Sequence, residues 1–234
     1  MVMIYDFDGT LTPYSLPNYE VLSKCGYDGK SIMVEVNKII NEQSVDLYTA
    51  YYRAFREILE SNGIAFSKES ICIGADKVQL NKGILEYFDR LCFQKSGIKH
   101  YVVTSGFEDY IRETPIARYL DDVLGTTFYL ANGEYAAMKR LISNERKIEA
   151  IEEISESNGV HLSDIVYFGD GLTDADAFQY VHNNGGKAIL VCEGGKSNEV
   201  YASFHGLGII DECFDLDYSE DSDLYKYVSH LLKR

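Results

Sequence analysis

The chain has 234 residues, 46% hydrophobic and 25% charged, a balance that excludes global disorder and leaves room for one core domain plus a modest second unit. Its formal net charge of -15 argues against a nucleic-acid or anionic-membrane surface, because both need a basic patch. Small anionic substrates stay open, since a bound divalent cation reverses the local field, and an acidic chain acting on phosphates is therefore expected to need a metal.

Val2-Met3-Ile4-Tyr5 is short and rich in β-branched and aromatic residues, which predicts a strand buried on both faces. It runs directly into Asp6-Phe7-Asp8-Gly9-Thr10-Leu11-Thr12. Asp6 and Asp8 share a face of the extended chain and can converge on one ligand just beyond the strand. Two carboxylates in close quarters suit a nucleophile plus a general acid/base, a hard-metal site, or both. The plain alternative is an Asx-type turn that only ends a strand. With no basic stretch and no long apolar run before Asp6, a secretion signal is not expected. No apolar run approaches the roughly 20 residues of a membrane span. The expected location is the cytoplasm.

The stretch from Tyr14 to Lys99 is too long for a simple crossover. Ser31 to Asn41 places Ile32, Val36, Ile39 and Ile40 at helical spacing, and a later helix has Leu47, Tyr51, Phe55, Ile58 and Leu59 on one stripe. Arg53 and Arg56 on that helix could reach a second anionic group, although such arginines are ordinarily solvated. A helical insertion at residues 15–80, just after the first acidic turn, would sit above the site as a lid. Residues 1–14 and 81–234 would then form the α/β core, re-entered by a helix that begins at Gly83 to Leu91.

His100-Tyr101-Val102-Val103-Thr104 predicts the next strand. Thr104, Ser105 and Gly106 end it, where a hydroxyl and free amides can hold phosphate oxygens. Thr126-Thr127-Phe128-Tyr129 followed by Asn132-Gly133-Glu134 predicts a β-hairpin. Lys147 starts a helix with Ile148, Ile151 and Ile154 on its apolar stripe, where a lysine is ordinarily solvated. Ile165 to Phe168 predicts a strand that enters Gly169-Asp170-Gly171-Leu172-Thr173-Asp174, with Asp174 in the first turn of a helix, where an acid is also a favourable cap.

Ala188 to Val191 predicts a fourth strand and Gly208-Ile209-Ile210 a weaker fifth. Gly194-Gly195-Lys196-Ser197 imitates the end of a phosphate-binding loop, but the first glycine of that motif falls on Leu190. The acidic run from Asp215 to Asp223 lacks the glycine and terminal glutamate of an EF-hand and reads as a solvated turn that caps a final helix. Five scattered cysteines with no C-x-x-C pair read as buried free thiols.

Strands alternating with helical patterns imply right-handed crossovers and an α/β fold, a doubly wound, mainly parallel, Rossmann-like sheet with an inserted helical cap domain. Reactive groups in such sheets gather at the carboxyl ends of strands. Here those ends carry Asp6 and Asp8, Thr104 and Ser105, and Asp170 and Asp174, so three distant segments make one site.

These segments, in this order, resemble the motifs of the haloacid dehalogenase-like superfamily. Its D-x-D-x-T is met by Asp6, Asp8 and Thr10, its hydroxyl residue after a strand by Thr104 or Ser105, its lysine by Lys147, and its G-D-x-x-x-D by Gly169, Asp170 and Asp174. The C-terminal part, Gly185 through Glu220, is similar to bacterial hydrolases that broadly resemble phosphoserine phosphatases. Thr104-Ser105-Gly106-Phe107 departs from their Ser-Gly-Gly-Phe.

The resemblance implies a Mg²⁺-dependent phosphatase for a small phosphorylated metabolite, with no nucleic-acid or membrane partner and with monomer or homodimer left open. Asp6 would attack phosphorus and form an aspartyl-phosphate, and Asp8 would protonate the leaving oxygen and then deprotonate water. Mg²⁺ would be held by Asp6, the backbone carbonyl of Asp8 and Asp170, with Asp174 as a ligand or behind one. Thr104 and Lys147 would offset phosphoryl charge, with Ser105 and Gly106 beside them. A phosphomutase or other phosphotransferase uses the same acids. A dehalogenase needs neither an acid at Asp8 nor a cation, and a non-catalytic nucleotide-binding protein has no need of both Asp6 and Asp8.

Overall fold

Val2-Met3-Ile4-Tyr5 is wholly buried, as a run without a polar face must be when helices cover both sides of its sheet. In the computed structural model, which describes residues 1–14, 19–94 and 97–233, this run is strand β1 (Val2–Tyr5). Helices α1 (Glu20–Lys24), α2 (Ile32–Gln43), α3 (Leu47–Ser61), α4 (Lys68–Ile71) and α5 (Ile84–Gln94) follow. The chain continues through β2 (Lys99–Phe107), α6 (Glu108–Arg112), β3 (Asp122–Ala131), β4 (Glu134–Arg140) and α7 (Arg146–Asn158). It ends with β5 (Ile165–Gly169), α8 (Ala175–Asn183), β6 (Lys187–Val191), α9 (Glu199–Leu207), β7 (Glu212–Phe214) and α10 (Asp223–Leu231).

The strands form a seven-stranded sheet in the order β4-β3-β2-β1-β5-β6-β7. Neighbours are parallel except for β3 and β4, so the expected doubly wound, mainly parallel α/β sheet is present. Val2 pairs with Lys99 of β2 on one side and with Ile165 of β5 on the other. The chain winds outward in both directions from β1, which puts the topological switch at its carboxyl end, beside Asp6 and Asp8. Alternate residues of β1 serve opposite layers. Met3 and Tyr5 share a core with α5 and α10, and Val2 and Ile4 share another with α7, α8 and α9.

Four expectations from the sequence need correction. β2 does not end at Thr104: its ladder with β3 continues to Phe107 across a register shift after Val103, so Thr104, Ser105 and Gly106 lie in a bulged strand end. The segment Gly208-Ile209-Ile210 is not a strand. Gly208, at φ 65°, is the left-handed cap of α9, the two isoleucines are buried in the connection, and the last strand is β7. On α3 the buried face is Ala50, Tyr52, Ala54, Phe55, Ile58 and Leu59, while Leu47 is 47% exposed. Tyr52 and Phe55 find ring partners in Phe107, which turns the helix past the stripe read from Leu47.

The fourth concerns Arg53 and Arg56. Nη2 of Arg56 donates to the carbonyls of Tyr135 (2.7 Å) and Ala136 (2.8 Å), and Arg53 donates to the Gln43 side chain. Their hydrogen bonds are structural.

The hairpin stands, with Asn132 (φ 54°) and Gly133 (φ 84°) both left-handed, as a two-residue turn of this hand demands. Ser222 caps α10 by accepting from Tyr225 N at 3.0 Å, so the acidic run does end in a cap. All five cysteines are free thiols, but only Cys192 and Cys213 are buried, and no described helix is long and apolar enough to cross a membrane.

Candidate active site

The site starts where β1 stops. Asp6 N donates to Phe168 O at 2.8 Å, which carries the ladder one residue past the strand and sets Asp6 against the end of β5. Gly9 at φ 80° then reverses the chain, with Leu11 N and Thr12 N both donating to Phe7 O. Asn81 fastens this loop from the far end of the helical stretch: its Nδ2 donates to Thr10 O (2.8 Å) and Thr12 O (3.0 Å). Tyr218 O–H donates to Thr10 O at 3.0 Å.

The second acidic turn folds back on β5 through a 3₁₀ turn at Leu172–Asp174. Gly169 is required for close approach, because a Cβ there would lie 2.4 Å from Asp174 Cγ. Asp174 is fully buried and accepts four hydrogen bonds. At Oδ1 the donors are Lys147 Nζ (2.7 Å) and Tyr167 O–H (2.6 Å); at Oδ2 they are the amides of Asp170 (3.1 Å) and Gly171 (3.4 Å).

Lys147 is not a solvated lysine. It is 1% exposed, and its Nζ lies 3.1 Å from Asp6 Oδ1 as well as 2.7 Å from Asp174 Oδ1. Burial alone would lower its pKa, but Asp174 and Asp6 reverse that and hold it above the ordinary lysine range. A charged ammonium between two carboxylates is what a buried lysine needs to stay protonated.

Asp6, Asp170 and Asp174 offer carboxylate oxygens that all lie within 4.8 Å of one another. Hard oxygen donors at this spacing fit a hard divalent cation such as Mg²⁺. The Asp8 carboxylate is outside this cluster. Burial first, then the charge of Asp170, push Asp8 up to about 8, with Lys147 pulling the other way. Burial also raises Asp6 well above the carboxylate range, against the opposing pull of Lys147.

Thr104 stands beside Asp8 across Gly106. Its buried Oγ1 accepts from Gly106 N at 3.0 Å, which leaves its own O–H to donate. A Cβ on Gly106 would meet Thr104 Oγ1 at 3.3 Å and Asp8 Oδ2 at 3.4 Å, which places all three side by side. The Ser105 carbonyl accepts from Tyr52 O–H and from Thr126 Oγ1 (2.9 Å), tying α3 to β2. Asp6, Asp8, Thr104, Ser105, Gly106 and Lys147 line one wall of a cavity of about 160 Å³, and α2 and α3 supply the other. Asp170 and Asp174 stand behind it. Arg53 and Arg56 do not line it.

Sequence reasoning missed Tyr167, Asn81 and Tyr218, which hold the acids and their loop. It also missed Tyr48, Tyr51 and Tyr52, which line the cavity. Tyr167 and Tyr218 read as core residues. The three tyrosines of α3 had a signal, since spacing of three and four residues marks one helical face.

The haloacid dehalogenase-like hydrolase model matches residues 3–179. Among solved structures the chain is similar to a phospho-aspartyl intermediate analogue of phosphoserine phosphatase, at 18% identity and TM-score 0.64, over 98% of this chain and 97% of that one. A substrate-bound phosphoserine phosphatase complex gives 17% identity and TM-score 0.64, over 98% and 97%. A probable phosphoserine phosphatase from Vibrio cholerae gives 15% and 0.63, over 99% of this chain and 64% of that one. At such identities the likeness is one of fold. Comparison with curated proteins finds no match. The family model takes in both acidic turns, from Asp6 to Asp174, over more than half of the sequence, and the chain belongs to the haloacid dehalogenase-like hydrolases.

Proposed function

We propose that this hydrolase is a Mg²⁺-dependent phosphatase that cleaves a small phosphomonoester through an aspartyl-phosphate. The observation that carries the reading is the buried set of Asp6, Asp174 and Lys147, with Asp170 completing a cation-sized carboxylate cluster and Asp8 beside it. A nucleophile, a proton carrier and a fixed positive charge meet at the switch point of the sheet.

An oxygen of Asp6 attacks phosphorus and forms a new O–P bond as the bond from phosphorus to the leaving oxygen breaks. Asp8 gives its proton to that oxygen, which leaves as the alcohol. Asp8 then takes a proton from water, whose oxygen attacks phosphorus, releasing inorganic phosphate and the Asp6 carboxylate. Lys147 and the Thr104 hydroxyl, with Ser105 and Gly106 beside them, offset the charge on the equatorial oxygens. Mg²⁺ held by Asp6, the Asp8 carbonyl, Asp170 and Asp174 would neutralise phosphoryl charge and favour the ionised form of Asp6. Residues 15–80 act as the cap over a core of residues 1–14 and 81–234, in a cytoplasmic enzyme.

Release of inorganic phosphate from p-nitrophenyl phosphate tests the reading. The native protein turns over with Mg²⁺, stops with EDTA and recovers when Mg²⁺ is returned. Asp6→Asn loses at least about 10³-fold in kcat while retaining its fold. Native-like turnover by Asp6→Asn, or indifference to EDTA, overturns it.

A further inference from the structure

The wall of the cavity opposite the phosphate side comes from α2 and α3, as Met33, Leu47, Tyr48, Tyr51 and Tyr52. None of these carries a charge. The arginines of α3 are engaged elsewhere, Arg56 with the carbonyls of β4 and Arg53 with Gln43. The undescribed segment 15–18 reads Ser-Leu-Pro-Asn and contains no ionisable side chain.

The three tyrosine hydroxyls differ in a way that matters. Tyr48 O–H donates to Asn144 Oδ1 and Tyr52 O–H donates to the Ser105 carbonyl. The Tyr51 hydroxyl is buried and has no hydrogen-bond partner among the described residues. Burial, then Tyr52 and Asp8, push its pKa well above the usual range, so it remains a donor. An orphaned buried donor costs about 1–3 kcal/mol, which a ligand acceptor would relieve.

Resting on the phosphatase reading, we infer that the leaving group is a single uncharged aromatic ring bearing one hydrogen-bond acceptor, held among the α3 tyrosines with Tyr51 O–H on that acceptor. The cavity, at about 160 Å³, must take the phosphoryl group as well, which leaves room for no more than one ring. Ring faces and the Met33 thioether give such a group favourable contacts. An ammonium or carboxylate there would be desolvated without a partner, which disfavours an amino-acid phosphate.

A second cavity, of about 220 Å³, also touches Asp8 and has Glu20 and Lys77 on its wall. It lacks Asp6, Thr104 and Lys147, which line the first cavity. Glu20 is moreover paired with Lys24 at 3.0 Å.

Initial rates with Mg²⁺ on three esters of alkyl alcohols test the inference, which removes differences in leaving-group activation. The expected order of kcat/KM is pyridin-3-ylmethyl phosphate, then benzyl phosphate, then O-phospho-L-serine, with about a hundredfold between the first and last. Tyr51→Phe lowers kcat/KM for the pyridyl ester about tenfold, mainly through KM, and brings its ratio to benzyl phosphate close to one. Preference for O-phospho-L-serine overturns the inference and leaves the phosphatase reading intact, pointing to the cavity with Glu20 and Lys77. An unchanged pyridyl-to-benzyl ratio in Tyr51→Phe overturns the role of Tyr51. No phosphate from any ester, p-nitrophenyl phosphate included, overturns the phosphatase reading and this inference with it.

Discussion

At the scale of residues, Asp174 is the group about which the others are arranged. Its two oxygens accept from Lys147, Tyr167 and two backbone amides, so its position fixes both the ammonium next to Asp6 and the turn that bears Asp170. Such supporting contacts typically cost about 10–100-fold in metal affinity or activity when disturbed. The sharpest way to disturb them is from behind. A methyl on Gly169 would fall 2.4 Å from Asp174 Cγ and 2.5 Å from Oδ2, and neither a buried carboxylate nor the β5 backbone can yield without moving the other. Gly169→Ala is expected to cost about 1–3 kcal/mol of stability and to lower kcat/KM about 10–100-fold, with a higher Mg²⁺ requirement. Urea unfolding and Mg²⁺ titration of the rate measure both effects. A native Mg²⁺ requirement in the variant would show that Asp174 takes no part in organising the cluster.

At the scale of elements, α3 is joined to the sheet by aromatic rings more than by charge. Tyr52 and Phe55 meet Phe107 of β2, while Phe66 meets Phe128 and Tyr135 across the hairpin. Tyr135 N donates to Phe66 O at 2.8 Å, and its hydroxyl donates to Asp109 at 2.7 Å. The hairpin thus acts as a clasp, which its Asn-Gly turn announced but whose partner the sequence did not. Arg56 completes the clasp through two carbonyls of β4 and by lying 4.9 Å over the Phe66 ring. Arg56→Ala is therefore expected to lower stability by about 1–2 kcal/mol and to change KM little for any phosphoester, charged or not. Chemical unfolding and a KM panel measure the two. A KM rise confined to doubly charged esters would make Arg56 a substrate contact instead.

At the scale of the whole molecule, much of the architecture was legible because the central strands β1 and β5 are wholly apolar and each ends in a distinctive turn. Asp6, Asp8, Asp170 and Asp174 could be read from spacing alone, since strand period and turn chemistry act locally. Lys147 could not, because its burial depends on Asp174 arriving from 27 residues away. Gly208 to Ile210 misled for the opposite reason: an apolar pair looks the same in a strand and in a buried connection. His100 was also read only as a strand residue, yet it is 2% exposed, and its Nε2 has no partner among the described residues. Its Nδ1 lies 3.2 Å from Tyr5 O–H, and its ring packs between Tyr5 and Phe88.

Burial lowers the His100 pKa to about 4, against the attraction of Asp121. The folded value lies below the unfolded one, near 6.5, so between them the unfolded chain binds the proton and the folded chain does not. The contribution of neutral His100 is complete above pH 6.5 and is lost as pH falls toward 4, by about 3 kcal/mol in all. Asp8, raised to about 8, works with the opposite sign across the whole of this range, because its folded form binds the proton more readily than the unfolded one. Only a difference between two proteins isolates the histidine. His100→Phe fills nearly the same space without a titrating group, so the stability of this variant relative to the native protein is expected to rise by about 3 kcal/mol between pH 7 and pH 4. Urea unfolding at intervals across that range measures it, and parallel curves for the two proteins would mean that water reaches the ring in the folded state.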